Sequence, residues 1–161
     1  YWSVDRQYLH PSPTRRSSDL GEKNILPLVL DLTNPGAAIG WANRERDAFF
    51  QRGPADLVMA LALIHHLAIS NNVPLGSVAE MLAGIGKWAI VEFVPKSDSQ
   101  VKRLLATRKD IFAQYSEDGF EDAFGDLFKI EQKERVPGSD RTLYLLRVKW
   151  HENKEIGLSN D

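Results

Sequence analysis

The chain has 161 residues, a length that suits one domain. Its 20 basic side chains against 22 acidic ones give a net charge of −2, so it carries no basic field of the kind that binds nucleic acid. The absence of cysteine excludes disulfides, thiolate metal sites and a cysteine nucleophile.

No apolar run reaches the roughly 18 residues of a membrane-spanning helix. The longest, Leu57–Ile64, stops at His65 and His66. The N-terminus has no apolar h-region, so no secretory signal is expected and the cytoplasm is the expected location. Residues Tyr1–Leu20 lack a sustained apolar period, with Pro11, Pro13 and a polar run from Thr14 to Asp19. They read as a disordered tail or, because His10–Leu20 resembles translated sequencing-adapter read-through, as an artefact. On the second reading the natural protein continued further upstream. Either way they are set aside from fold reasoning.

Regular structure is expected from Asn24. Ile25–Leu30 is a short apolar run ending at Asp31, the pattern of a strand buried on both faces. Thr33–Gly40 is a loop, and Trp41–Arg52 is expected to be an amphipathic helix stopped by Gly53-Pro54. Asp56–Ala62 is a second buried strand, running without a break into a short helix over Leu63–Ser70. After Asn71-Asn72, Pro74 opens a helix whose face is Val78, Met81, Leu82 and Ile85, ending at Gly86. Lys87–Val94 is a third strand. Asp98 is positioned to cap a helix to about Thr107, with Val101, Leu104 and Leu105 inward; Ser116 caps another over Glu117–Leu127. Phe128–Val136 and Thr142–Trp150 flank Pro137-Gly138-Ser139-Asp140 as a hairpin, and the tail from His151 is polar. The alternation implies an α/β fold over residues 21–150. It reads as an incomplete doubly wound, Rossmann-like sheet, mostly parallel, with a C-terminal antiparallel hairpin.

Four blocks carry a family resemblance. LPLVLDL (Leu26–Leu32), PADLVMALALIHHL (Pro54–Leu67), KWAIVEFVPKSDSQV (Lys87–Val101) and RTLYLLRVK (Arg141–Lys149) resemble, in order, the third, fourth, fifth and last strands of the class I S-adenosylmethionine-dependent methyltransferases. The likeness is nearest to bacterial small-molecule methyltransferases, some of them labelled nodulation-related. It implies S-adenosylmethionine as cofactor, methyl transfer to a small-molecule acceptor, and no nucleic-acid or membrane partner. The family's first two strands are missing, and with them the glycine-rich loop and the ribose-binding acidic residue. Gly36 and Gly40 follow no strand at the required spacing, and Gly84 and Gly86 close a helix. The chain as written is therefore expected to bind the cofactor weakly or not at all, and to be inactive alone.

In an open α/β sheet, ligands sit beyond the carboxyl ends of the strands. Given the resemblance, Asp31 there would accept a hydrogen bond from the adenine amino group, or else serve as a loop or cap aspartate. Leu32 would follow along the adenine edge. Leu61 and Ala62 would make backbone contact with the cofactor, whereas Asp56 lies at the far end of its strand and reads as structural. Trp41 is either a stacking residue or a core anchor. Adjacent histidines on a helix point about 100° apart, so His65 and His66 do not readily share a metal, and no metal site is expected. His65 is a candidate base for an acceptor hydroxyl or amine; the alternative is that one histidine packs in the core while the other orients the helix. Glu92 interrupts an apolar strand and needs a reason for burial. It would bind a cationic acceptor, act as a base with a raised pKa, or pair with Lys96 or a histidine. Lys96, Asp98 and Ser99 would form the mouth of the acceptor pocket, or simply a solvated loop and cap.

Two other classes compete. A nicotinamide-dependent oxidoreductase fragment would share the sheet but not the terminal hairpin. A non-catalytic α/β interaction module would never have had a cofactor loop.

Overall fold

A computed structural model of the chain describes residues 30–149. The chain divides into two compact units, Tyr1–Gly53 and Pro54–Asp161. The expected tail over residues 1–20, most of the expected strand over 25–30 and the tail from His151 lie outside the described residues.

In the first unit, Asp31 opens a turn. Its Oδ1 accepts from the Thr33 amide at 2.9 Å and the Thr33 hydroxyl at 2.7 Å, while the Asn34 amide donates to its carbonyl at 3.2 Å. The helix expected over Trp41–Arg52 does not form. Two short 3-10 turns, Trp41–Asn43 and Phe49–Gln51, stand in its place, and Ile39 and Arg46 close the loop between them with an antiparallel bridge. Ala42 and Asn43 both adopt positive φ, at 55° and 56°. The physical reason is in the sequence. Ala42, Phe49 and Phe50 share a face, but Glu45 and Arg46 occupy the positions between them, so no continuous apolar stripe rewards helix formation.

The second unit holds a four-stranded sheet: β1 (Ala55–Ala60), β2 (Gly86–Phe93), β3 (Phe128–Arg135) and β4 (Thr142–Val148). The spatial order is β1-β2-β4-β3. β1 and β2 are parallel, with Ala60 opposite Val91. β4 runs antiparallel to both β2 and β3, so the last strand is inserted between β2 and its own hairpin partner. The fold is thus α/β with a mixed sheet.

Three helices accompany it: α1 (Leu75–Ile85), α2 (Ser99–Leu105) and α3 (Glu117–Gly125). In α1, Leu75, Val78, Ala79 and Leu82 fall at the spacing of one helical face, and all four are buried. The helix ends where Gly86 begins β2; a Cβ at Gly86 would overlap the Val58 side chain, so glycine permits the close approach of β1. Asp98 caps α2, its carboxylate accepting from the Gln100 amide at 2.8 Å. Of the residues expected to face inward from α2, Val101 is fully buried and Leu104 and Leu105 are half-buried. Ser116 caps α3 through the Gly119 amide, with Glu117 and Asp118 in its first turn to complement the dipole.

The core is aromatic. Phe120 lies 4.1 Å from Phe124, 4.7 Å from Tyr144 and 5.4 Å from Phe93 between ring centroids. Tyr115 stacks on Phe93 at 5.2 Å and donates its hydroxyl to the Val94 carbonyl at 2.8 Å. Alternation puts Thr142, Tyr144 and Leu146 of β4 on this face.

Two strand expectations are corrected. β1 was expected to be buried on both faces, but Leu57 is 46% and Met59 55% exposed: alternation puts both on one face of the strand, while Val58 and Ala60 on the other are half-buried and buried. The chain also does not pass unbroken from β1 into a helix. Leu61–Leu63 forms a break with Ala62 at φ 50°, and helical hydrogen bonding resumes in a π-helical turn over His66–Ser70.

Candidate functional site

Parallel pairing of β1 and β2 brings their carboxyl ends level, and the antiparallel β4 enters the sheet at that same end. Three segments meet there: the Leu61–Ala62 turn, the stretch from Glu92 to Asp98, and Arg141 at the mouth of β4. Glu92 is nearly buried, at 9% exposure. Its Oε2 accepts from the Ala62 amide at 2.6 Å, and its Oε1 accepts from Arg141 Nη1 at 3.2 Å. Arg141 Nε donates to Asp98 Oδ2 at 2.9 Å. The hairpin tip is tied to the same loop once more, the Ser97 hydroxyl donating to Asp140 at 2.9 Å.

The electrostatics follow from this wiring. Burial opposes ionisation of Asp98, but the Arg141 hydrogen bond and the Gln100 amide prevail and hold its pKa below the usual carboxylate range. The hydrogen bond that Arg141 donates to Asp98, and after it the one donated to Glu92, raise its pKa against the opposing effect of burial. His65 is 2% exposed, and its Nδ1 has no hydrogen-bond partner. Burial above all, then the charges of His66 and Arg141, push its pKa down to about 4, with Asp98 opposing. His65 is therefore neutral at pH 7. Its ring lies 4.2 Å from that of His66.

Of the readings open for Glu92, an ion pair near the strand's end is present, but its partner is neither Lys96 nor a histidine. Lys96 instead reaches Asp110 at 2.8 Å, and the partner of Glu92 is Arg141. Distance along the chain concealed that partner: the two residues are 49 positions apart and meet only because the last strand is inserted beside β2. Asp56, read as structural, forms a 2.7 Å pair with Lys87 across the far end of β1 and β2.

Of the other expected site residues, Leu61 is half-exposed just past the end of β1, Ala62 follows it directly, and His65 comes three residues after Ala62. Ser99 is an exposed residue at the start of α2. Asp31 and Leu32 lie in the first unit, in an exposed to half-exposed turn, as does Trp41, which is largely exposed and not a core anchor. A shallow groove of about 590 Å³ lies elsewhere in the second unit, lined by Pro74, Leu75, Gly119 and Asp122 among others and by none of the residues above. Among the described residues no cluster of three or more potential ligands could hold a metal ion. No helix among them is long and apolar enough to cross a membrane.

The mixed α/β unit and its strand-tip charge cluster define the class of the domain only broadly. The chain is similar to the nodulation protein NoeA of Rhizobium meliloti (strain 1021), with 48% identity over 122 residues. That alignment covers 76% of this chain and 26% of NoeA, so the chain spans about a quarter of that relative's length. No family model and no solved structure matches it.

Proposed function

We propose that this chain is part of an S-adenosylmethionine-dependent methyltransferase acting on a small-molecule acceptor, with its site at the shared end of β1 and β2. One observation carries the reading: an exposed turn at Leu61–Ala62 sits beside two carboxylates, Glu92 and Asp98, that share one guanidinium, Arg141. With His65 neutral the cluster keeps one net negative charge, which suits a sulfonium cation. Small side chains at the tip of β1 let a ligand approach the backbone. The resemblance of the DLV…IHHL and KWAIVEFVPKSD blocks to methyltransferase strands supports the same placement.

The bound cofactor would bring an already activated methyl group, so the protein's part is mainly positioning. The Ala62 amide is committed to Glu92, which leaves the Leu61 and Ala62 carbonyls for the ligand. Both oxygens of Glu92 accept hydrogen bonds within the protein, so its part is to hold the turn. His65 has the neutral form a base needs, but a pKa near 4 makes it a weak one. Asp31 and Leu32 belong to the first unit, and an adenine-binding role for them rests on the resemblance alone.

The test is a titration of the chain with S-adenosylmethionine, followed by amide chemical shifts, which register even weak binding. The expected result is perturbation concentrated at Leu61–Leu63 and Phe93–Asp98. A response elsewhere overturns the reading, and so does the absence of methyl transfer from S-adenosylmethionine by the longer protein of which this chain is proposed to be part. A competing reading, a non-catalytic interaction module, draws on the exposed Leu57 and Met59 of β1 and predicts no nucleoside response. A nicotinamide dinucleotide titrated in parallel tests the oxidoreductase alternative.

A further inference from the structure

We propose that Arg141 is a positioning residue, which fixes the Leu61–Ala62 turn by clamping Glu92 and Asp98; its benefit to cofactor binding rests on the methyl-transfer reading above. Ala62 has a left-handed backbone at φ 50°, a conformation that a residue with a Cβ resists and that its surroundings must hold in place. Its amide donates to Glu92 Oε2 at 2.6 Å, a bond that ties the turn to β2. What holds Glu92 is Arg141 Nη1 at 3.2 Å on the other oxygen. The second arm of the same guanidinium, Nε, takes Asp98 at 2.9 Å, whose remaining oxygen caps α2.

Without the guanidinium, Glu92 and Asp98 face the same space with no counter-charge between them. Their repulsion favours turning Glu92 toward water, and the turn after β1 loses its clamp. Only arginine can do this job fully. Its planar fork engages two carboxylates at once, whereas a lysine ammonium is a point charge that satisfies one of them well. The order of turn integrity is therefore arginine, then lysine, then glutamine. The hairpin before β4 thereby sets the geometry at the tip of β1, two strands away across the sheet.

The experiment compares the wild-type chain with Arg141→Gln and Arg141→Lys by amide resonances and by S-adenosylmethionine affinity. The Ala62 amide, short-bonded to a carboxylate, is expected to move and to exchange faster in Arg141→Gln, and to return part of the way in Arg141→Lys. Amides in the middle of β4, such as Leu146, report whether each variant is folded. Affinity is expected to fall about tenfold in Arg141→Gln, as for loss of one charged hydrogen bond, and less in Arg141→Lys. An unmoved Ala62 amide in a folded Arg141→Gln chain overturns the inference, and so does a moved amide with unchanged affinity. Where the wild-type chain binds no nucleoside, the Ala62 amide alone decides the clamp.

Discussion

The buried, neutral His65 makes the stability of this chain depend on pH in a way that one substitution should erase. In the folded protein its pKa is about 4, against 6.5 for an ordinary histidine. At about 1.4 kcal/mol per pKa unit, that difference amounts to about 3 kcal/mol. The sign follows from which state takes the proton first. Above pH 6.5 both states are neutral and the full stability is present. As pH falls below 6.5 the unfolded chain binds a proton that the folded chain refuses, and stability drains away until the folded state also protonates near pH 4. Below that the loss levels off. Carboxylates add their own dependence, Asp98 among them, so the measurement is a difference: urea unfolding of wild type and His65→Leu from pH 8 to pH 4. Wild type should lose about 3 kcal/mol relative to the variant across the window from 6.5 to about 4. A difference that stays flat over that window would show that His65 is solvated or paired in the folded chain, and the account of its burial would fail.

Two further outcomes concern packing. Phe120 is fully buried among Phe124, Tyr144 and Phe93, so Phe120→Ala should cost about 3–5 kcal/mol in denaturant unfolding; a loss below about 1 kcal/mol would mean that the aromatic core is not the one described. On β1, Met59 is more than half exposed, so Met59→Lys should leave stability within about 0.5 kcal/mol and reduce self-association at high concentration. A large loss of stability there would mean that the outer face of β1 is covered.

Where burial and local chemistry agree, the chain's own letters were enough. Asp98 and Ser116 are capping residues ahead of apolar spacings, and both cap as expected. The apolar run before Gly86 and the Pro-Gly-Ser-Asp loop between two alternating segments mark α1 and the β3–β4 hairpin to within a few residues. Trp41–Arg52 misled because its helical period was sampled at too few positions, and charged residues filled the rest of the face. β1 misled differently. An apolar strand looks the same whether a neighbour covers its outer face or not, so composition could not foretell the exposure of Leu57 and Met59. In the candidate site, Glu92 and His65 stood out as polar residues in apolar surroundings, and both interact with Arg141, Glu92 through a hydrogen bond and His65 through charge. Arg141 did not stand out, because its importance comes from strand order, and strand order depends on which edges pair rather than on any residue pattern.

That strand order has a temporal side. β2 and β3 share no edge; β4 lies between them, pairing with β3 on one side and with β2, already paired to β1, on the other. While the polypeptide is being synthesised, everything up to the hairpin tip emerges without the strip that joins the halves of the sheet. The buried aromatic cluster also lacks Tyr144 until then. Cooperative closure of this unit therefore waits on seven residues, Thr142–Val148. A ribosome that pauses before they emerge holds a nascent protein with two unsatisfied sheet margins.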